Sequence, residues 1–221
     1  RPAVLTHGIW DQIRVDMGKE FYLMLFVQDL LSQYRRNTNR LPYIQTTSKQ
    51  NHAAERIWVE INSRVNYPVK KALNSMVNEE IIDMDDDVTK FCVSWVSSYV
   101  CFTGTCQVID AWNNHPILGK GIPDNLMEEN KQTVSVAANI LPSTTQAVNL
   151  YQQRGGTLTH WPEFGRDPLQ GNAELETLRS NVFQMDIPNF DTIFHEVVNG
   201  NIEAYRNAVT RFRDLTYYYS P

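Results

Sequence analysis

The chain is short of several features that would classify it at once. It has three cysteines, Cys92, Cys101 and Cys106, an odd number with no CxxC pair. That excludes a paired disulfide framework, and His115 as the only nearby histidine gives no zinc-ligand spacing. The three fall in an apolar stretch and read as buried, reduced thiols. No apolar run approaches the roughly 20 residues that span a bilayer, and no signal-peptide pattern opens the chain. The expectation is an intracellular protein with no membrane partner. The first residue is Arg1 rather than Met, which suggests a piece of a longer protein. There is no GxxxxGK followed by Ser or Thr, no GxGxxG and no GxSxG. Phosphate cradles, dinucleotide sites and Ser/His/Asp catalysis have no support, and no nucleotide cofactor is expected. An excess of positive charge is missing too. The net charge of −5 works against a broad electrostatic grip on nucleic acid. Two local clusters, Arg35 with Arg36 and Arg40, and Arg64 with Lys70 and Lys71, read by default as solvated surface patches.

What is present suits a folded core: 42% of the 221 residues are hydrophobic. Residues 9–16, IWDQIRVD, alternate as a strand ending at Asp16. MGKEF follows as a turn, with Gly18 expected in a special dihedral region. Leu23, Phe26, Val27, Leu30, Leu31 and Tyr34 recur at steps of three and four, predicting a helix of about four turns. Residues 40–47, RLPYIQTT, predict a second strand with Pro42 at its edge or start. Ser48 or Asn51 would cap the next helix, which carries Ile57, Trp58, Ile61 and Val65 on one side until Pro68 stops or kinks it. After the acidic connector NEEIIDMDDDV, residues 90–112 are helical, with Gly104 as a candidate break. NNHPILGKGIPDN is a loop. Helices are expected at 173–184, 189–199 and 201–215, the last two separated by Asn199-Gly200. Trp58, Trp95 and Trp112 read as core.

Asp16 would close a strand and Glu55 would open a helix, with 38 residues between them. Two hard carboxylates at a strand's carboxyl end would suit Mg²⁺ or Mn²⁺. With a third acid they would serve two-metal phosphodiester chemistry. On spacing alone, each has a plainer reading. Asp16 fits a strand-end turn residue. Glu55 fits a first-turn glutamate favoured by the helix dipole.

The surrounding residues add to this. IRVDMGKEF resembles the second-aspartate motif of the retroviral-type integrase catalytic core, D-x-G-x-E-F after a hydrophobic strand. TTSKQNHAAERIWVEIN resembles the glutamate motif of that family, N-x-x-x-E-R at the head of a long helix. VIDAWNNHPILGKGIPDNL is similar to the end of the same core. The resemblance implies an α/β fold: a partial RNase H-like integrase core over residues 1–127, then a mainly helical region of unknown role over 128–221. It implies a DDE polynucleotidyl transferase site in which Asp16 and Glu55 are catalytic and metal-binding. Glu20 would be structural. Lys49, Gln50, Asn51 and His52 would lie in a loop facing DNA, with Arg56 and Asn62 near the DNA ends. The departures matter equally. Only fifteen residues precede Asp16. The first three strands and the first catalytic Asp are missing, and Asp11, five positions away on the same strand, cannot replace it. The triad is a dyad, so Mg²⁺ or Mn²⁺ is expected only with a full triad. The chain therefore reads as a fragment or a domesticated relative, inactive alone, from a parent that binds, cuts and joins DNA. The competing reading is a non-catalytic integrase-like scaffold that binds DNA or protein. DNA, a homo-oligomeric partner and a nuclear location follow from the resemblance alone.

Overall fold

The computed structural model describes residues 1–47, 52–130, 133–160, 162–187 and 189–220. In chain order the described elements are α1 (Pro2–His7), β1 (Ile9–Trp10), β2 (Ile13–Asp16), α2 (Tyr22–Leu30), β3 (Tyr43–Thr46), α3 (His52–Ile61), α4 (Tyr67–Asn78) and α5 (Asp87–Asn114). They continue with α6 (Pro123–Glu129), β4 (Thr133–Val134), α7 (Thr144–Gln153), α8 (Ala173–Asp186), α9 (Phe190–Val198) and α10 (Glu203–Tyr219). The chain divides into two compact units: Arg1–Arg56 with Pro116–Trp161, and Ile57–His115 with Pro162–Pro221. This spatial division interleaves two stretches of chain.

The first unit holds two short ribbons. The strand expected over 9–16 splits at Asp11 and Gln12. β1 pairs antiparallel with β4, Ile9 against Val134 and Trp10 against Thr133. β2 pairs parallel with β3, from Ile13 against Tyr43 to Asp16 against Thr46. The split is held by contacts from the 37–41 segment as well as by the pairing with β4. Buried Asp11 accepts the Asn37 backbone N–H on its Oδ1 at 2.9 Å, and the Gln12 side chain donates to the Leu41 carbonyl at 2.9 Å. Ile9 then packs with Leu31 and Leu141 in a small core. α2 is nine residues long, shorter than four turns, and a 3-10 turn over Ser32–Tyr34 follows it. Gly18 has an ordinary φ of −76°, contrary to expectation. The Glu20 carboxylate lies over Gly18, at the far end of an exposed side chain that can move aside, so no packing at this position requires glycine.

The second unit is a helical cluster around α5. Pro68 could also open a following helix, and it does: it stands in the first turn of α4, where its missing N–H costs nothing, after a π-helical turn over Asn62–Asn66. Gly104 does not break α5, which runs 28 residues without interruption. Phe194 of α9 presses its ring where a Cβ would stand, so packing overrides the weak helix propensity of glycine. Trp95 stacks on Phe212 at 4.1 Å and meets Phe183 edge-on at 5.5 Å. Trp58 departs from the core expectation, being 58% exposed. The three cysteines are free, and they differ. Cys92 is buried, Cys101 is half-buried and Cys106 is exposed, so the uniform burial expected from the apolar stretch does not hold. Burial pushes the Cys92 thiol up to about 11. Among the described residues α5 is long and apolar enough to cross a membrane, with a mean hydropathy of 1.2 over its most apolar stretch, which is 28% buried. This corrects the expectation that no such run exists; Ser, Thr, Tyr and Gly interrupt it and hide it in the sequence. Its inward stripe of Cys92, Val93, Val96 and Val100 is the core of this unit.

One buried ion pair ties the α8 and α10 helices to the loop before them. Arg179 holds Asp167 through two hydrogen bonds of 2.8 and 2.7 Å and reaches Thr216 at 3.2 Å. Its guanidinium lies over Phe212 at 4.8 Å and Phe91 at 5.3 Å. Removing one partner leaves a buried, unpaired charge. Arg179→Ala is therefore expected to cost about 3–5 kcal/mol in urea denaturation. Replacing Arg179 and Asp167 together by apolar residues is expected to cost much less. Equal costs for the two changes contradict this view of the pair.

Candidate functional site

The parallel ribbon places the acidic edge. Parallel strands send their carboxyl ends the same way, so β2 and β3 finish together, Asp16 beside Thr46. Asp16 is half-buried. The Thr46 hydroxyl is buried without a hydrogen-bond partner, which leaves a bare oxygen at the register position next to the acid. From Thr46 the chain goes on to α3, where half-buried Glu55 stands in the first turn. A carboxylate in that turn is favoured by the positive end of the helix.

Two buried polar side chains hold the opposite, amino end of the β2–β3 ribbon, and the sequence singles out neither as functional. Gln28, 4% exposed, donates from Nε2 to the Trp10 carbonyl at 2.8 Å and the Pro42 carbonyl at 3.3 Å. It thereby ties the end of β1 to the entry of β3. Ile13 N–H donates to the same Pro42 carbonyl at 3.0 Å. Arg35, expected on the surface, is 6% exposed. Its guanidinium donates to the carbonyls of Ser32, Asp11 and Arg40. A glutamine in the middle of an otherwise apolar helix is the sequence signal for Gln28. For Arg35 the run of neighbouring arginines points the wrong way.

The remaining expected site residues are spread. Arg56 is exposed on α3. Asn62 lies in the π-helical turn of the second unit, where its Oδ1 accepts from Asn66 at 2.8 Å. Lys49, Gln50 and Asn51, with the cap candidate Ser48, lie outside the described residues, as does Trp161. His52 opens α3. Hard oxygen donors such as Asp16, Glu55 and the Thr46 hydroxyl suit Mg²⁺ or Mn²⁺ in kind. Among the described residues, however, no group of three His, Cys, Asp or Glu side chains could hold a metal. The donors are of the right chemical kind, and among the described residues they do not form a complete metal site. In the second unit a cleft of 820 Å³ opens between Pro68, Trp112 and Phe194, with Arg64 at its wall paired to Glu60 at 2.6 Å.

The fold and the edge together define a mixed α/β protein with an aspartate closing a parallel strand and a glutamate heading a helix. The sequence pattern of the integrase core domain family matches residues 1–130, more than half of the 221 residues, and the chain belongs to that family. No curated protein and no solved structure matches.

The clamp at the entry of the ribbon is testable. Gln28→Ala leaves the buried Trp10 carbonyl without its partner. It is expected to cost about 1–3 kcal/mol and to speed amide exchange across residues 13–16 and 43–46. Unchanged stability and exchange contradict a role for Gln28 in holding the ribbon.

Proposed function

We propose that this chain is a DNA-engaging part of an integrase-type polynucleotidyl transferase, with Asp16 and Glu55 as two of its acidic site residues. One observation carries the reading. The β2–β3 register ends at Asp16 beside Thr46, and the chain leaves that same edge for the helix headed by Glu55. Membership of the integrase core domain family supports it. The two carboxylates would supply oxygen ligands, and the orphaned Thr46 hydroxyl would orient a bound oxygen or water. A divalent ion at such a site supplies Lewis-acid activation of an attacking oxygen. Cleavage and joining of DNA belong to a form in which a third acid completes the set. Nuclear action and homo-oligomer formation are expectations of the same reading.

A second reading, a non-catalytic integrase-like scaffold, is favoured by the absence of a three-acid cluster among the described residues. Under the first reading the chain alone binds DNA ends and does not cut them; the scaffold reading requires no cutting and takes DNA or protein as partner. The test is incubation of end-labelled duplex with the chain and Mg²⁺ or Mn²⁺. The expected result is binding with negligible cleavage, unchanged in rate by Asp16→Asn or Glu55→Gln. A form extended by an acid-bearing upstream strand is expected to cleave, and Glu55→Gln is expected to abolish that cleavage. Robust cleavage by the present chain, lost in Glu55→Gln, contradicts the incomplete-site account. Cleavage by the extended form that survives both substitutions contradicts the assignment of the acids.

A further inference from the structure

The segment Arg36-Asn37-Thr38-Asn39-Arg40 has no part in the acidic edge and is held by a construction of its own. Together with Asp11 it lines a polar cavity of 530 Å³ in the first unit. The loop is wound around the buried Arg35, which donates to the carbonyl of Ser32 at 3.1 Å, to that of Asp11, and to that of Arg40 at 2.9 Å. Asn37 N–H is tied to Asp11 Oδ1 at 2.9 Å and Asn39 N–H to Asn37 Oδ1 at 3.0 Å. The loop is therefore pinned at Asn37, at Asn39 and at the Arg40 backbone, while Arg36, Thr38, Asn39 and Arg40 are exposed.

The charges decide what such a cavity would take. The guanidinium of Arg35 is buried and donates to the carbonyls of Ser32, Asp11 and Arg40, and among the described residues it forms no ion pair. Arg36 and Arg40 add two more positive charges, and Asp11 is the one acid in the lining. Two guanidinium groups, Arg36 and Arg40, line the cavity against the one carboxylate of Asp11, with Arg35 buried behind the loop, on a chain whose net charge is −5. Arginine, asparagine and threonine side chains are the groups that contact phosphate oxygens in nucleic-acid interfaces. A loop fixed by its own backbone before binding also loses less conformational freedom when it binds.

We propose that the 36–40 loop is a phosphodiester contact, the place where this chain grips the sugar-phosphate backbone of DNA independently of its acidic edge. The proposal rests on the DNA-binding part of the function proposed above. It adds a binding element at residues outside the integrase motifs. The contact is sequence-independent, because phosphates carry no base identity.

The experiment is fluorescence anisotropy with a labelled duplex across a range of salt concentrations. Arg36→Ala with Arg40→Ala is expected to weaken binding at least tenfold at low salt. It should also lower the slope of log K against log salt by about 2, one for each phosphate no longer neutralised by an arginine. Arg36→Lys with Arg40→Lys is expected to keep the slope. Lys120→Ala removes an exposed charge on the 117–121 turn of the same unit and is expected to leave the slope alone. Unchanged affinity and slope in the double-alanine variant overturn the proposal, and so does an equal loss in Lys120→Ala. Amide shifts of residues 37–40 on titration with inorganic phosphate separate the two possible failures. Shifts with phosphate from a chain that binds no duplex keep the anion site and overturn DNA as its ligand, and with it the proposed function. Duplex binding with no shift at the loop overturns the loop alone.

Discussion

Parallel strands impose a crossover. A tight turn cannot join β2 to β3, so the chain must leave Asp16, travel back along the ribbon and enter β3 from the same end. Residues 17–42 make that journey, and α2 is its rigid part. The polar side chains buried along it follow from this constraint. A crossover that returns beside its own starting strand carries backbone carbonyls into the interior, and each needs a donor. Gln28 supplies the Trp10 carbonyl, and Arg35 supplies those of Asp11 and Arg40. Asp16 owes its position at a strand end, and the 36–40 loop owes its shape, to this one connection.

The second unit is built on different physics. Its core is aromatic and aliphatic, with Trp95, Phe183 and Phe212 in mutual contact and Cys92, Val96 and Val100 beneath them. Arg179 is the exception, a cation sandwiched over two rings and paired to Asp167. Its Nε is buried with no partner. Such a pair does more to fix one arrangement of helices than to add stability. This unit places none of the acidic residues of the edge. The acidic edge and the larger hydrophobic core thus belong to separate units.

Some of this is legible in the sequence, and the reasons are local. β2 ends at Asp16 because an alternating run meets a glycine-containing turn, and α9 stops at Val198 because Asn199 and Gly200 cannot continue it, Gly200 taking φ 86°. The helices α8, α9 and α10 follow from periodicity, while their caps Asn172 and Asn189 become visible only in the structure. What escapes notice depends on partners distant in sequence. The break at Asp11 requires knowing that β1 pairs with a strand more than a hundred residues away. Gly104 reads as a helix breaker until Phe194 is placed against it, and Arg35 reads as surface until three carbonyls are placed around it. α6 and α7 carry too little periodicity to be read as helices. Asp16 and Glu55 are legible through motif rather than geometry, since any strand end and any helix head tolerate those residues.

The account stands or falls on whether the two acids share one edge in solution. The direct measurement is the distance between spin labels at Asp16→Cys and Glu55→Cys, in a chain whose Cys101 and Cys106 are replaced by serine. The account predicts a single narrow distribution at the short limit of the method, broadened when Gln28→Ala loosens the ribbon. A long separation, or a broad distribution that Gln28→Ala leaves untouched, contradicts it.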